Sequence, residues 1–174
     1  MTLTEAEQRF LSEQHHGRLA TIARNGTPQL KPVGFSYNES LGTIDIAGMN
    51  MAASAKYKNV QANPQAAFLA DDFPAPEEGA AGARFLEIRG TAETVADGQH
   101  DETGHLSPEI IRIYPRRVLA FNVGGPGLRV RDTDGRATRS AIIGTRLCPP
   151  ARIFPSPLAP RSARAASSTL SART

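Results

Sequence analysis

The chain of 174 residues has one cysteine, Cys148. A lone thiol excludes an internal disulfide and any cysteine-rich metal site, which agrees with a reducing compartment. No apolar run approaches the roughly 20 residues that a spanning helix needs. The opening Met1-Thr2-Leu3-Thr4-Glu5 also lacks the basic and apolar blocks of a signal peptide, so the expectation is a cytoplasmic protein with no membrane partner. Acid is missing from the end of the chain: residues 136–174 hold 7 arginines and neither Asp nor Glu. Residues 1–135 therefore carry 13 basic and 17 acidic groups, a net of −4, although the whole chain is +3. An acidic body argues against nucleic acid as the main partner, because a duplex binder carries its basic face on the folded domain.

The familiar catalytic signatures are absent as well. There is no Gly-x-Ser-x-Gly elbow, no His-Glu-x-x-His, no phosphate-binding P-loop and no Gly-x-Gly-x-x-Gly, and Gly124-Gly125-Pro126-Gly127 reads as a turn. His100 and His105 share a polar stretch with Asp101 and Glu102 but have no third ligand of fixed geometry, so no metal is expected. His15 and His16 are adjacent and cannot both point into one site from a regular helix. A protein with neither nucleophile nor metal borrows its chemistry from a cofactor.

What is present suits one domain with a real core: 40% hydrophobic and 21% charged residues. Residues 1–135 form that domain, and the Pro-, Ala-, Ser- and Arg-rich tail 136–174, with no amphipathic period, is expected to be poorly ordered. Thr4 caps a short helix, with Glu7 in the capping-box position and Phe10 and Leu11 as its apolar edge. Alternating strands are expected over 17–23, 28–37 and 43–48, the first two joined through Asn25-Gly26. Pro28 should start its strand and Pro32 should sit at an edge or bulge. Further strands are expected over 65–72, 84–95 and 116–123, with Gly90 marking a bulge or bend and residues 107–113 forming a short helix or strand. Residues 73–82 read as a flexible acidic loop. The sum is a mainly β fold, a six-stranded antiparallel barrel with a few short helices.

The stretch 45–59 joins the third strand to a helix ended by Asn63-Pro64, with Asn50 as its expected cap. Free backbone N–H groups and the lysines Lys56 and Lys58 face one region there, which makes the junction a candidate phosphate seat. The same residues also read as an ordinary capped helix with solvated lysines.

The ordered segments Gly17-Arg18-Leu19-Ala20-Thr21, residues 26–33, Ala55-Lys56-Tyr57-Lys58-Asn59-Val60 with Asn63-Pro64, and Glu87-Ile88-Arg89-Gly90-Thr91-Ala92 resemble the pyridoxamine-phosphate-oxidase-like split-barrel family of FMN-binding folds. The segment Ile111-Arg112-Ile113-Tyr114-Pro115-Arg116-Arg117-Val118 is similar to the branch that uses the deazaflavin coenzyme F420. The resemblance implies a homodimer with the cofactor in a groove between protomers. It implies that Gln29, Lys31 and Val33 line the ring, that Ala47 and Gly48 let it approach the backbone, and that Ser54, Lys56 and Lys58 hold the phosphate. Arg116 would meet the acidic tail of the cofactor or the partner subunit. The implied reaction is hydride transfer from reduced F420 to an enone C=C of a small polycyclic substrate. An FMN oxidase or reductase, or a non-catalytic flavin carrier, fits the same site. No catalytic residue is assigned: Tyr57 and Tyr114 are possible proton donors, and solvent can serve.

Overall fold

A computed structural model describes residues 3–74, 82–98 and 104–133. All of these lie in one compact unit, Met1–Arg139. Residues 75–81 of the expected 73–82 loop, His100 with Asp101 and Glu102, Cys148 and the tail 136–174 fall outside the described residues.

Seven strands, β1 (Gly17–Ile22), β2 (Pro28–Asn38), β3 (Thr43–Ala47), β4 (Gln65–Asp72), β5 (Arg84–Val95), β6 (Ile110–Phe121) and β7 (Leu128–Asp132), are accompanied by the helices α1 (Glu5–Ser12) and α2 (Ala55–Ala62). They run antiparallel in the order β3-β2-β1-β4-β5-β6-β7, and β3 also pairs with β6, so the first six close into a barrel with β7 outside it. This is the split-barrel architecture expected from the sequence, with two corrections. Residues 110–113 extend the sixth strand, because Ile110, Ile111 and Ile113 continue its ladder with β5. A seventh strand, absent from the expectation, follows the 124–127 turn. Its Leu128 and Val130 are exposed, so it lacks the half-buried alternation that makes a strand readable.

The elements form where local chemistry directs. In α1 the Thr4 side chain accepts from Glu7 N while Thr4 N donates to Glu7 Oε2 at 2.8 Å, a complete capping box. Glu7 is also buried against Arg131 of β7, a tie its spacing did not foretell. The β1–β2 hairpin turns through Gly26 at φ +83°, a left-handed conformation suited to Gly. Alternate residues of β1, β4, β5 and β6 point inward and bury Leu19, Phe68, Ile88 and Val118. Each such side chain contributes about 1.5–3 kcal/mol of burial, and Phe35 packs against Phe68 with ring centroids 4.7 Å apart.

The β5–β6 register slips between Arg89 and Gly90, which skips Arg116 on the facing strand. A Cβ on Gly90 would overlap the Tyr114 carbonyl oxygen and stand 3.3 Å from Pro115 Cα. The obstacle is backbone, which cannot rotate away as a side-chain tip does. Gly90→Ala is expected to destabilise the protein by about 3 kcal/mol, the upper part of the overpacking range, and thermal unfolding measures it. A melting temperature within a degree of the unsubstituted protein would refute this account of the bulge.

Candidate functional site

The site is built where the β2–β3 ladder stops. β3 pairs with β2 only from Asn38–Thr43 to Gly34–Ala47, and the chain then leaves the sheet. Residues 28–33 of β2 therefore pair with β1 alone and leave their other edge open. Both prolines of β2 lie in this half, where a missing N–H costs no ladder bond on the open side.

From Ala47 the chain turns through Gly48, Met49 and Asn50 into one 3-10 turn, Met51–Ala53, and then into α2. Asn50 does not cap the helix. It adopts a left-handed conformation at φ 49° with no side-chain cap bond, which Asn tolerates. Ser54 takes the cap: its backbone is extended and its Oγ accepts from Tyr57 N at 3.3 Å. The inserted turn carries the helix cap from the expected Asn50 four residues downstream to Ser54. The N–H groups of Ala55 and Lys56 thus belong to a first turn, where no acceptor exists within the helix.

Ser107, 59 residues on from Gly48 and carrying no motif, holds the turn in place. Its Oγ donates to Gly48 O at 2.9 Å and accepts from Met51 N at 2.8 Å, while its own N–H donates to Gly48 O at 3.1 Å. Gly48 is packed closely: a Cβ there would meet Met51 Cε at 3.3 Å and Lys56 Nζ at 3.9 Å. Lys56 therefore folds back from α2 over the Gly48 backbone. Burial holds its ammonium below the usual lysine range.

The structure brings most of the expected residues to this junction. Ala47, Gly48, Ser54 and Lys56 are half-buried around it, and Lys58 is exposed on the next part of α2. Gln29, Lys31 and Val33 alternate along the open half of β2, opposite Thr21, Leu19 and Gly17 of β1. Gln29 is joined to α2 through Asn59, whose Nδ2 donates to Gln29 Oε1 at 2.9 Å and to Thr21 Oγ1 at 3.0 Å. Val33 belongs to the hydrophobic core, so it supports the floor of the site instead of offering a free surface. Lys31 is exposed.

Arg116 is not with the others. Continuing the β3–β6 register from Ile46–Ile111 sets Ala47 opposite Ile110, and Arg116 lies six residues further along β6, about 20 Å from that end of the ladder at 3.3 Å per residue. Its neighbour Arg117 pairs with Asp132 at 3.0 Å. Of the two tyrosines, Tyr57 is buried in the core, and the Tyr114 hydroxyl donates to Glu93 Oε1 at 2.6 Å. Burial and the Glu93 carboxylate push the Tyr114 phenol up to about 12, which makes it a poor acid.

An open polar groove of about 520 Å³ lies elsewhere, beside Tyr37, Asn38, Asp45 and Ile110, and takes in none of the nine expected residues. Among the described residues, no group of three or more His, Cys, Asp or Glu could hold a metal ion, and no helix is long and apolar enough to cross a membrane.

Comparison with known proteins agrees with this architecture. The family model for pyridoxamine 5'-phosphate oxidase matches residues 3–125. The chain is 37% identical over 135 residues to the 5a,11a-dehydrotetracycline/5a,11a-dehydrooxytetracycline reductase of Streptomyces rimosus, covering 76% of this chain and 94% of the reductase. Among solved structures it is similar in fold to General Stress Protein 26 from Bacillus anthracis, at TM-score 0.55 and 16% identity over 76% of this chain and 99% of that one. It is likewise similar to Rv2991 from Mycobacterium tuberculosis, at TM-score 0.51 and 20% identity over 83% and 92% of the two chains. The matched length, the barrel closed by β3 and β6, and the helix inserted after β3 lead to one conclusion: the chain belongs to the pyridoxamine 5'-phosphate oxidase family.

Proposed function

We propose that the protein is an F420-dependent reductase that delivers hydride to the enone C=C of a small polycyclic substrate, with a dehydrotetracycline as the first compound to test. The observation that carries the reading is the half-buried Lys56 ammonium lying over Gly48 at the start of α2. A half-buried lysine with no acidic partner among the described residues is a cost to the folded protein unless an anion comes to it. The 37% identity to a protein named as a reductase of 5a,11a-dehydrotetracyclines supports the reaction class and the substrate class. The similarity of residues 111–118 to the deazaflavin-using branch supports the coenzyme.

The residues fit a phosphorylated planar coenzyme. Gly48 leaves backbone exposed where a side chain would press on Met51 and Lys56. The first turn of α2 and Lys56 suit the phosphate, with Lys58 adding charge from its outer side. The open half of β2 offers Gln29 and Lys31 to the ring. When bound, the reduced deazaflavin supplies the hydride, and the protein's part is to hold ring and enone in near contact. Tyr114 does not serve as the acid, since its proton is held by Glu93, so solvent delivers the proton beside the carbonyl. The proposed assembly is a homodimer with the coenzyme between protomers, supported by the exposed Met49 at the junction. FMN is the second reading, supported by the family match itself, because the same seat takes a phosphate and a planar ring.

Separate fluorescence titrations of the purified protein with F420 and FMN are expected to give tighter binding of F420, followed by reduction of a dehydrotetracycline by the reduced coenzyme. Tighter FMN binding would transfer the reading to a flavin enzyme, and tight binding with no enone turnover would make the protein a carrier.

Lys56 gives a prediction with two signs. Its folded-state pKa is lowered, so the unfolded chain keeps the proton at higher pH than the folded chain does. Above the ordinary lysine pKa both states are neutral and nothing is lost. As pH falls through the two values, stability drops, and the full cost of the buried charge is present at neutral pH. Lys56→Met is therefore expected to raise the melting temperature of the coenzyme-free protein at pH 7 while weakening coenzyme binding by about 1–3 kcal/mol, the scale of one charge-assisted contact. Unchanged binding in the titration would remove Lys56 from the site.

A further inference from the structure

We propose that Asn59 sets the polarity with which Gln29 meets the coenzyme ring, so that Gln29 presents its N–H and not its carbonyl to an acceptor on the ring edge. The inference rests on the reading of the β3–α2 junction as the coenzyme seat. Asn59 is a buried polar residue, 7% exposed, on a helix whose other inward side chains, Tyr57 and Val60, are core residues. Its amide nitrogen spends one hydrogen on Thr21 Oγ1 at 3.0 Å and the other on Gln29 Oε1 at 2.9 Å.

With Oε1 engaged as an acceptor, the Gln29 amide has its Nε2 hydrogens left to present. A solvated glutamine shows either end of its amide at little cost. One tied to a buried, fully used donor does not, because turning it over would set two N–H groups against each other. Gln29 stands on the half of β2 that pairs with β1 alone, so the side chain fixed by Asn59 borders the open edge. The ring atom it meets must accept: a carbonyl oxygen or an unprotonated nitrogen, both found on the pyrimidinedione edge of flavins and deazaflavins. Asn59 is thus a positioning residue, acting through Gln29.

Asn59→Asp tests this directly. A carboxylate only accepts, so the Thr21 hydroxyl and Gln29 Nε2 would both donate to it, and Gln29 would turn its carbonyl to the ring. F420 is titrated by fluorescence into the full-length protein, the Asn59→Asp and Gln29→Ala variants and their double variant, with FMN in parallel. Asn59→Asp is expected to weaken binding about tenfold when Gln29 is present and less than about twofold in the Gln29→Ala background, and to shift the absorption band of the bound ring. Equal losses in both backgrounds, or no loss in either, overturn the proposal. If Asn59→Asp does not fold, Gln29→Glu decides. It keeps an acceptor for Asn59 but brings no donor to the ring, so its melting temperature should hold while affinity falls, and unchanged affinity overturns the proposal. Failure of the unsubstituted protein to bind either coenzyme would remove the seat itself, whereas normal binding with equal losses removes only the role of Asn59.

Discussion

Closure of the barrel depends on three rungs between β3 and β6: Ile44 with Ile113, Asp45 with Arg112, and Ile46 with Ile111. The four isoleucines are fully buried, and between them Arg112 grips Asp45 with Nε on Oδ1 at 2.8 Å and Nη2 on Oδ2 at 2.7 Å. Thr43 and Asn38 donate to the same carboxylate. A pair this buried, with side chains 12% and 15% exposed, gives up much of its Coulomb gain to desolvation, so its main effect is on register. Sliding β3 by one residue would send Asp45 inward and both isoleucines out. The fork of Arg112 and the alternation of Ile44 and Ile46 therefore admit one alignment.

Once that alignment is set, the end of β3 is set with it, and so is the site. Ala47 is the last residue of the ladder with β2, which is why the open half of β2 begins at Val33. The chain cannot continue along that edge, because residues 48–50 are held by Ser107 and Met51 begins a helical turn. The helix that follows is pinned by Tyr57 and Val60 in the core and by Asn59 across β1 and β2, which leaves Lys56 to fold back over Gly48. The position of the lysine is thus a consequence of barrel closure.

The barrel was legible in the sequence because its strands alternate, and each turn announced itself: Asn25-Gly26 between the first two strands, Gly90 at the bulge, Thr4 with Glu7 at the first helix. The junction was legible in outline through its lysines and its helix stop. Its details were not, for a physical reason in each case. Asn50 and Ser54 are both good caps, and the choice fell to Ser54 because Ser107 imposes a turn on Met51, a contact between residues 56 apart that no local pattern encodes. Asn59 left a usable signal, a polar residue next to the buried positions 57 and 60, and its partners were beyond the reach of spacing. For Arg116, expected at the coenzyme's acidic tail or the partner subunit, the family motif carries no information on which end of β6 faces the junction.

Water is the remaining constraint on the proposed chemistry. Hydride transfer to an enone is favoured where ring and substrate are shielded from bulk water, with a path left for the proton, and the described residues supply only part of such a shield. The buried Val33, Met51 and Tyr57 underlie the site, but Lys31 and Lys58 are exposed at its margin and Met49 is 74% exposed beside it. Among the described residues, β1 and β2 are held by their ladder and α2 by the core. In the proposed homodimer a second surface covers it, and Met49 is a side chain such a surface would bury. The proposed homodimer meets this need with the chain's own surface.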